Sequence, residues 1–459
     1  MAALGKDNVD GIKHGGFIWH TTGSGKTITS FKTALFLSTR IGFDKVIFMV
    51  DRRELDSHTA DSFKAYAAYE PVEVDGTEYT YNLKTSIKNG RHGIIVTTTY
   101  KMANLVKELT DGQDISLKNK KFVFIIDEAH RTTMGDMMHL IKAYFKDNSL
   151  FYGFTGTPLF EENKANGRIN EQSELINTTE KLFGPLLHQY TINEAISDGN
   201  VLGFNVDYIN TGEFTSYQAL KSQIIESYGV QHPEEHKEGI KKKFGSLNEG
   251  QIELAAKQMD ILNYNNPEHI ERVVARILDD WNHISGNKFF NAILTVGLKK
   301  RVIDYYREFK RQITERELNF NLAMTFSKGD ENDPTSIDKD IYAEMFKDYE
   351  TYTGVYFDVN DAKMGIDAYF QDLITRAAQG GSAQNPHNID LVIVADQMLT
   401  GYDSKFLNAL YVDRNLELQG LIQAYSRTNR VYGKDKEFGS IINFQYPRIS
   451  EERVHEALA

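Results

Sequence analysis

The stretch FIWHTTGSGKT, residues 17–27, decides how the rest of the chain reads. Phe17, Ile18 and Trp19 predict a short buried strand. The small residues Thr21, Thr22, Gly23, Ser24 and Gly25 predict a turn, and Lys26 and Thr27 open a helical pattern, ITSFKTALFLSTR. Strand, glycine-rich turn and helix start are the context of a phosphate cradle. Glycines let backbone N–H groups turn inward around phosphate oxygens, and the helix N-terminus adds partial positive charge. In this reading Thr22, Gly23, Ser24 and Gly25 wrap the phosphates, Lys26 reaches the β- and γ-phosphates, and the Thr27 hydroxyl holds Mg²⁺. The strict pattern has Gly where this chain has His20. The competing reading is a flexible turn with a solvated lysine.

A second stretch, FVFIIDEAHR at 122–131, supports the first. Five consecutive apolar residues, 122–126, predict a strand buried on both faces, as in a parallel sheet. Asp127 and Glu128 follow at its carboxyl end, where open α/β sheets bind ligands. Asp127 is placed to hold Mg²⁺, a hard cation that takes oxygen ligands. Glu128 is placed to orient or deprotonate an attacking water. An isolated Asp-Glu pair is more often solvated, but a phosphate cradle lies about 100 residues upstream, the usual interval between two such strands.

Composition sets bounds. The 459 residues suffice for two or three domains. Hydrophobic content of 41% and charged content of 25% are ordinary for a globular protein. No apolar run approaches the ~20 residues of a membrane span, and the first residues lack a signal peptide's apolar core. There is no cysteine, which excludes disulfides, thiolate metal sites and cysteine nucleophiles and fits a reducing cytoplasm. The net charge of −12 argues against coating nucleic acid by bulk charge but leaves room for a local basic groove.

Alternating strand and helix patterns fill residues 17–202, with strands expected at 17–19, 46–50, 93–97, 122–126 and 150–154. Such alternation implies a parallel sheet flanked by helices. Residues 204–212 read as a strand leaving this unit. Residues 213–285 read as helical, charged and solvated. From Lys288 the alternation resumes, with strands in FFNAILTVG, NLAMTFS, IDLVIVADQM, ALYVDRNL and FGSIINF. Residues 330–388 read as a polar, loop-rich insertion with one helix, YFQDLITRAAQ. The expectation is two α/β domains, 1–203 and 204–459.

Further segments sit at strand ends. VDRRELDSHT carries Arg52 and Arg53, and TTTYKM carries Thr98 and Lys101. Hydroxyl and basic groups there suit a phosphodiester backbone, and helix capping by Asp51 or Thr99 is the equally good alternative. GFTGTP places Thr155 and Thr157 near the carboxylates. LTGYDS (399–404) and QAYSRTNR (423–430) come near the end. Gln423, Arg427 and Arg430, spaced i, i+4 and i+7, would share one helix face. An arginine so placed can stabilise transition-state charge on a γ-phosphate, and ordinary salt bridges on a basic helix face are the plainer alternative.

In order, GSGKT, DEAH, TGTP, TGYD and QAYSRTNR resemble the superfamily 2 helicases and translocases, over residues 17–445. More narrowly, WHTTGSGKT, VDRRELDSHT, DEAHR, GFTGTP and QAYSRTNR resemble the motor of type I restriction enzyme R subunits. The resemblance implies two RecA-like domains with parallel sheets and an ATP cleft between them. It also implies ATP-driven translocation along double-stranded DNA, with methyltransferase and specificity subunits as partners. It assigns Lys26 and Thr27 to phosphate and Mg²⁺, Asp127 and Glu128 to metal and water, and His130 and Thr155 to coupling ATP state with DNA contact. Gln423, Arg427 and Arg430 would complete the ATP site, either arginine serving as the finger.

In that family a D…ExK nuclease domain precedes the motor and a helical region follows it. Neither is expected here, so the chain reads as the motor portion of a longer polypeptide, unable to cut DNA by itself. A strand-separating DNA or RNA helicase shares these motifs. An ATP-gated scaffold that binds nucleic acid without turnover is disfavoured by Glu128 and the two arginines.

Overall fold

A computed structural model describes residues 15–40, 43–50, 62–68, 74–76, 80–88, 93–118, 120–129, 134–145, 149–160, 168–169, 175–212, 214–326, 336–361, 364–399, 401–416 and 418–458. The chain forms two compact units, Met1–Asn200 and Val201–Ala459.

The first unit is built on β1 (Gly16–His20), β2 (Lys45–Val50), β3 (Val74–Gly76), β4 (Ile94–Thr98), β5 (Phe122–Asp127), β6 (Ser149–Thr155) and β9 (Leu186–Tyr190). These strands lie in the order β3-β4-β2-β5-β6-β1-β9, every neighbouring pair parallel. The two-residue β7 (Arg168–Ile169) and β8 (Leu175–Ile176) pair antiparallel apart from it. Period-two alternation feeds both faces. From β5, Phe122, Phe124 and Ile126 join one apolar cluster with Met102, Leu105 and Ile141, while Val123 and Ile125 join another with Phe31, Ala34 and Leu37. The unbroken apolar run of 122–126 therefore reflects burial on two sides. β3 and β9 are the edges of the sheet, and β9 is largely exposed. Neither was expected from the sequence, because an edge strand keeps no continuous apolar run.

The second unit carries β10 (Phe204–Tyr208), β11 (Asn291–Val296), β12 (Leu322–Thr325), β13 (Leu391–Val394), β14 (Leu407–Asp413) and β15 (Gly439–Asn443), ordered β10-β15-β14-β11-β13-β12 and all parallel. Helices Pro267–Ile284, Lys299–Glu315 and Ile366–Ala377 pack onto it through one continuous apolar cluster.

Two expectations are corrected here. Residues 213–285 are helical, but they are more than a solvated face. Helices Tyr217–Gln231, Lys237–Gly245 and Glu249–Gln258 close over a core of their own, with Leu220, Ile224, Ile240, Ile252 and Ala256. The segment 330–388 also holds a second long helix, Ser336–Thr353. Ile341, Tyr342, Met345, Phe346 and Tyr349 form its buried stripe, masked in the sequence by the acidic and lysine residues between them.

Candidate nucleotide site

The cradle follows β1. Gly23 and Gly25 adopt φ of 91° and 88°, a region that L side chains rarely enter. The turn is fastened from within: Ser24 N–H and its hydroxyl both donate to Thr21 C=O, at 3.3 and 2.7 Å. Helix Lys26–Arg40 starts directly after it, with Thr27 exposed on its first turn.

β5 brings Asp127 and Glu128 to this turn. The Lys26 ammonium lies 2.9 Å from Asp127 Oδ1 and 2.6 Å from Glu128 Oε1. The Lys26 side chain is 10% exposed and the two carboxylates 21% and 19%. Burial opposes the charge on Lys26, but Asp127 and Glu128 more than offset it and hold the ammonium well above its ordinary range. Burial pushes the Asp127 carboxyl up, against the pull of Lys26 and with the repulsion of Glu128. Glu128 itself has φ of 51°, and its N–H donates to Asp127 Oδ1 at 3.0 Å. A left-handed backbone at a non-glycine residue costs free energy and clusters at functional sites.

The loop after β6 closes the third side. Trp19 Nε1 donates to Gly156 C=O at 3.2 Å, and a Cβ on Gly156 would lie 2.8 Å from Thr22 Oγ1. This position requires glycine because the TGTP loop rests directly on the cradle. Thr155 is buried, and its hydroxyl accepts from Thr157 N–H at 3.1 Å. His20 packs at a tilt against His188 and Tyr190, with ring centroids 5.3 and 5.6 Å away. Burial, then His188 and Lys26, lower its pKa. A large neutral imidazole thus fills the position where the strict motif has glycine.

These residues fit a nucleotide's phosphates and Mg²⁺. The cradle offers a two-glycine turn at a helix start, a buried ammonium held between anions, a hydroxyl and two carboxylates. The structure brings Thr22, Gly23, Ser24, Gly25, Lys26, Thr27, Asp127, Glu128 and Thr155 together. Arg52, Arg53 and His130 lie outside the described residues.

Thr98 and Lys101 meet at a helix start. Thr98 is the N-cap of helix Thr99–Asp111, its hydroxyl accepting from Lys101 N–H at 3.1 Å. Both residues are buried, at 1% and 8% exposure. Capping is therefore done by Thr98 and not by Thr99.

In the second unit, helix Leu418–Tyr425 ends before the arginines, so Gln423, Arg427 and Arg430 do not share one helical face. A tight turn follows, with Arg427 N–H bonding Ala424 C=O and Thr428 N–H bonding Tyr425 C=O. The cause is attachment to the TGYDS loop. Arg427, buried, donates to Tyr402 C=O at 2.7 Å and to Gln423 C=O at 3.1 Å. Arg430 pairs with the exposed carboxylate of Asp403 at 2.5 Å and donates to Ser426 C=O and Asn429 Oδ1.

Sequence reasoning missed a buried cluster on β14. Asp413 accepts from Arg301 Nη2 and Tyr305 OH and bonds His269 Nε2, each at 2.6 Å, and accepts from Gln445 Nε2 at 3.0 Å. Burial opposes the Asp413 charge, yet these partners bring its pKa below the ordinary value. The only sequence signal was an aspartate ending an apolar strand.

Comparison with known proteins finds two family matches. Residues 3–238 match the SWI2/SNF2 ATPase family, and residues 288–446 match domain 3 of type I restriction enzyme subunit R. The endonuclease subunit of a type I restriction enzyme from Staphylococcus aureus (strain COL) is 36% identical over 436 residues, 94% of this chain and 41% of that protein. The HindI endonuclease subunit of Haemophilus influenzae is 24% identical, over 93% of this chain and 36% of its own length. The chain thus spans about two fifths of the length of these two relatives. In fold it is similar to the ATP-dependent Type ISP restriction-modification enzyme LlaBIII bound to DNA, with TM-score 0.57 and 14% identity, covering 99% of this chain and 28% of that one. Among the described residues, no helix is long and apolar enough to cross a membrane. With its phosphate cradle, paired carboxylates and two parallel sheets, the chain belongs to the SWI2/SNF2 ATPase family.

Proposed function

We propose that the chain is the ATP-driven motor portion of a type I restriction R subunit, moving double-stranded DNA. The observation that carries this is the Lys26 ammonium set between Asp127 and Glu128 beside a two-glycine turn. Relatives named as type I restriction endonuclease subunits support the restriction setting.

Bound Mg²⁺-ATP would supply the phosphoanhydride to be cleaved and the cation that shields its charge. Thr27 and Asp127 are the residues to hold the metal. Lys26 exchanges its carboxylate partners for phosphate oxygens. Glu128, released from Lys26, takes up an attacking water and holds it in line. Arg430 is the first choice for the transition-state arginine, since among the described residues its charged partner is the exposed carboxylate of Asp403, whereas Arg427 is held to backbone carbonyls. DNA contacts would be mainly to phosphate, because a translocase tolerates every sequence, with the DNA address read by partner specificity and methyltransferase subunits. The setting is cytoplasmic.

The test is ATP hydrolysis by the chain with and without linear duplex DNA, beside Lys26→Ala, together with triplex displacement and strand displacement. Duplex-stimulated hydrolysis with triplex displacement supports a translocase. Stimulation by single strands or RNA, with strand separation, rejects it.

A further inference from the structure

Three cations in series fasten residues 427–436 onto residues 402–407. Arg427 donates to Tyr402 C=O, and Arg430 pairs with Asp403. The third is Lys436, which the motifs do not include. It is 2% exposed, and its ammonium donates to Leu407 C=O at 2.7 Å and Lys405 C=O at 3.3 Å. Those carbonyls bracket the step from the Asp403 loop into β14. The rings of Phe406 and Tyr432, 5.0 Å apart, pack the same two segments together.

We propose that Lys436 is a positioning residue for Arg430: it fixes the loop that presents Asp403 and competes for that carboxylate's charge when Arg430 leaves it. This rests on the reading of Arg430 given above. Among the described residues, the charged groups facing Lys436 are Arg430 and Asp403. Lys405 lies over the Phe406 and Tyr432 rings, and Asp435 and Glu437 are exposed. Burial, then Arg430, lower the Lys436 pKa to about 7, and Asp403 opposes them. Below that pH the ammonium grips both carbonyls through charge-assisted bonds and shares the Asp403 charge, which loosens Arg430 for work elsewhere. Above it the amine grips more weakly and Asp403 holds Arg430 alone. Turnover therefore falls as pH rises through about 7.

The experiment measures kcat and KM for ATP of the whole chain with duplex DNA between about pH 6 and 8.5, for wild type, Lys436→Met, Lys436→Arg and Arg430→Ala. Lys436→Met is expected to lower kcat about tenfold, the scale of one charge-assisted hydrogen bond, to leave KM within about twofold, and to lose the inflection. Lys436→Arg, always charged, is expected to recover most of the rate with a flat profile. A wild-type profile without an inflection near 7 overturns the proposal without any variant, and so does Lys436→Arg as slow as Lys436→Met. Normal kcat in Lys436→Met beside a slow Arg430→Ala overturns the Lys436 proposal alone. Normal turnover in Arg430→Ala overturns the reading of Arg430 and the route through it.

Discussion

Lys26→Ala tests whether the site's charges are as interdependent as the geometry makes them. The substitution removes an ammonium 2.6 and 2.9 Å from two carboxylates that each keep about a fifth of their side-chain surface in water. Removing one partner of a buried pair costs about 3–5 kcal/mol. The partial exposure places this case at the low end, about 3 kcal/mol. Glu128→Gln alone should cost about 1 kcal/mol. Because the carboxylate is then absent, adding Lys26→Ala should cost less than it does in wild type, a coupling of about 1.5 kcal/mol. The chain has two tryptophans, and in a Trp281→Phe background the fluorescence of Trp19, bonded to Gly156, reports the first unit through urea unfolding. The deficit has a pH sign. Burial already raises the Asp127 pKa, and losing Lys26 raises it further. A group with a raised folded pKa stabilises below its unfolded value and loses that contribution as pH climbs through the folded value. The Lys26→Ala deficit should therefore shrink from pH ~8 to pH ~5. A Lys26→Ala chain within about 0.5 kcal/mol of wild type, or additive with Glu128→Gln, would refute the reasoning.

Two further outcomes follow from named contacts. Asp413→Asn removes the charge facing Arg301 in a fully buried cluster and should destabilise the second unit by about 3–5 kcal/mol. Trp281 fluorescence should show it, with the first unit's midpoint unchanged. Thr98→Ala deletes a helix cap and should cost about 1 kcal/mol by urea titration. Its affinity for duplex DNA at fixed salt should match wild type, and a clear loss there would return Thr98 to the DNA face.

What the sequence disclosed was whatever local chemistry imposes. The two-glycine turn, the helix start after Lys26 and the apolar run into Asp127 are each specified within a dozen residues. So are β11, β13 and β14, whose Val- and Leu-rich runs are buried on both faces. What stayed hidden depends on partners far along the chain. Asp413 meets Arg301 and His269 across 112 and 144 residues. Arg427 leaves the expected helical register because Tyr402 C=O captures it. The stripe of helix Ser336–Thr353 was outweighed by the charge around it, and β9 reads as polar because the sheet ends there.

The strand order also sets a timetable for synthesis. β1, which leads into the cradle, lies between β6 and β9, so Phe17 has no neighbour until Gly153 and Leu186 are made. At about 5–20 residues per second that interval is roughly 10–30 s. In the second unit the edge strand β10 also waits for a late partner, with Phe204 paired to Gly439 of β15. Each unit thus emerges from the ribosome with its opening strand unpaired and cannot finish its sheet until its last strand arrives. Holdase chaperones are expected to engage the nascent chain over these two intervals, and ribosome profiling of chaperone-bound chains should show occupancy that ends after residues 190 and 443 have cleared the exit tunnel.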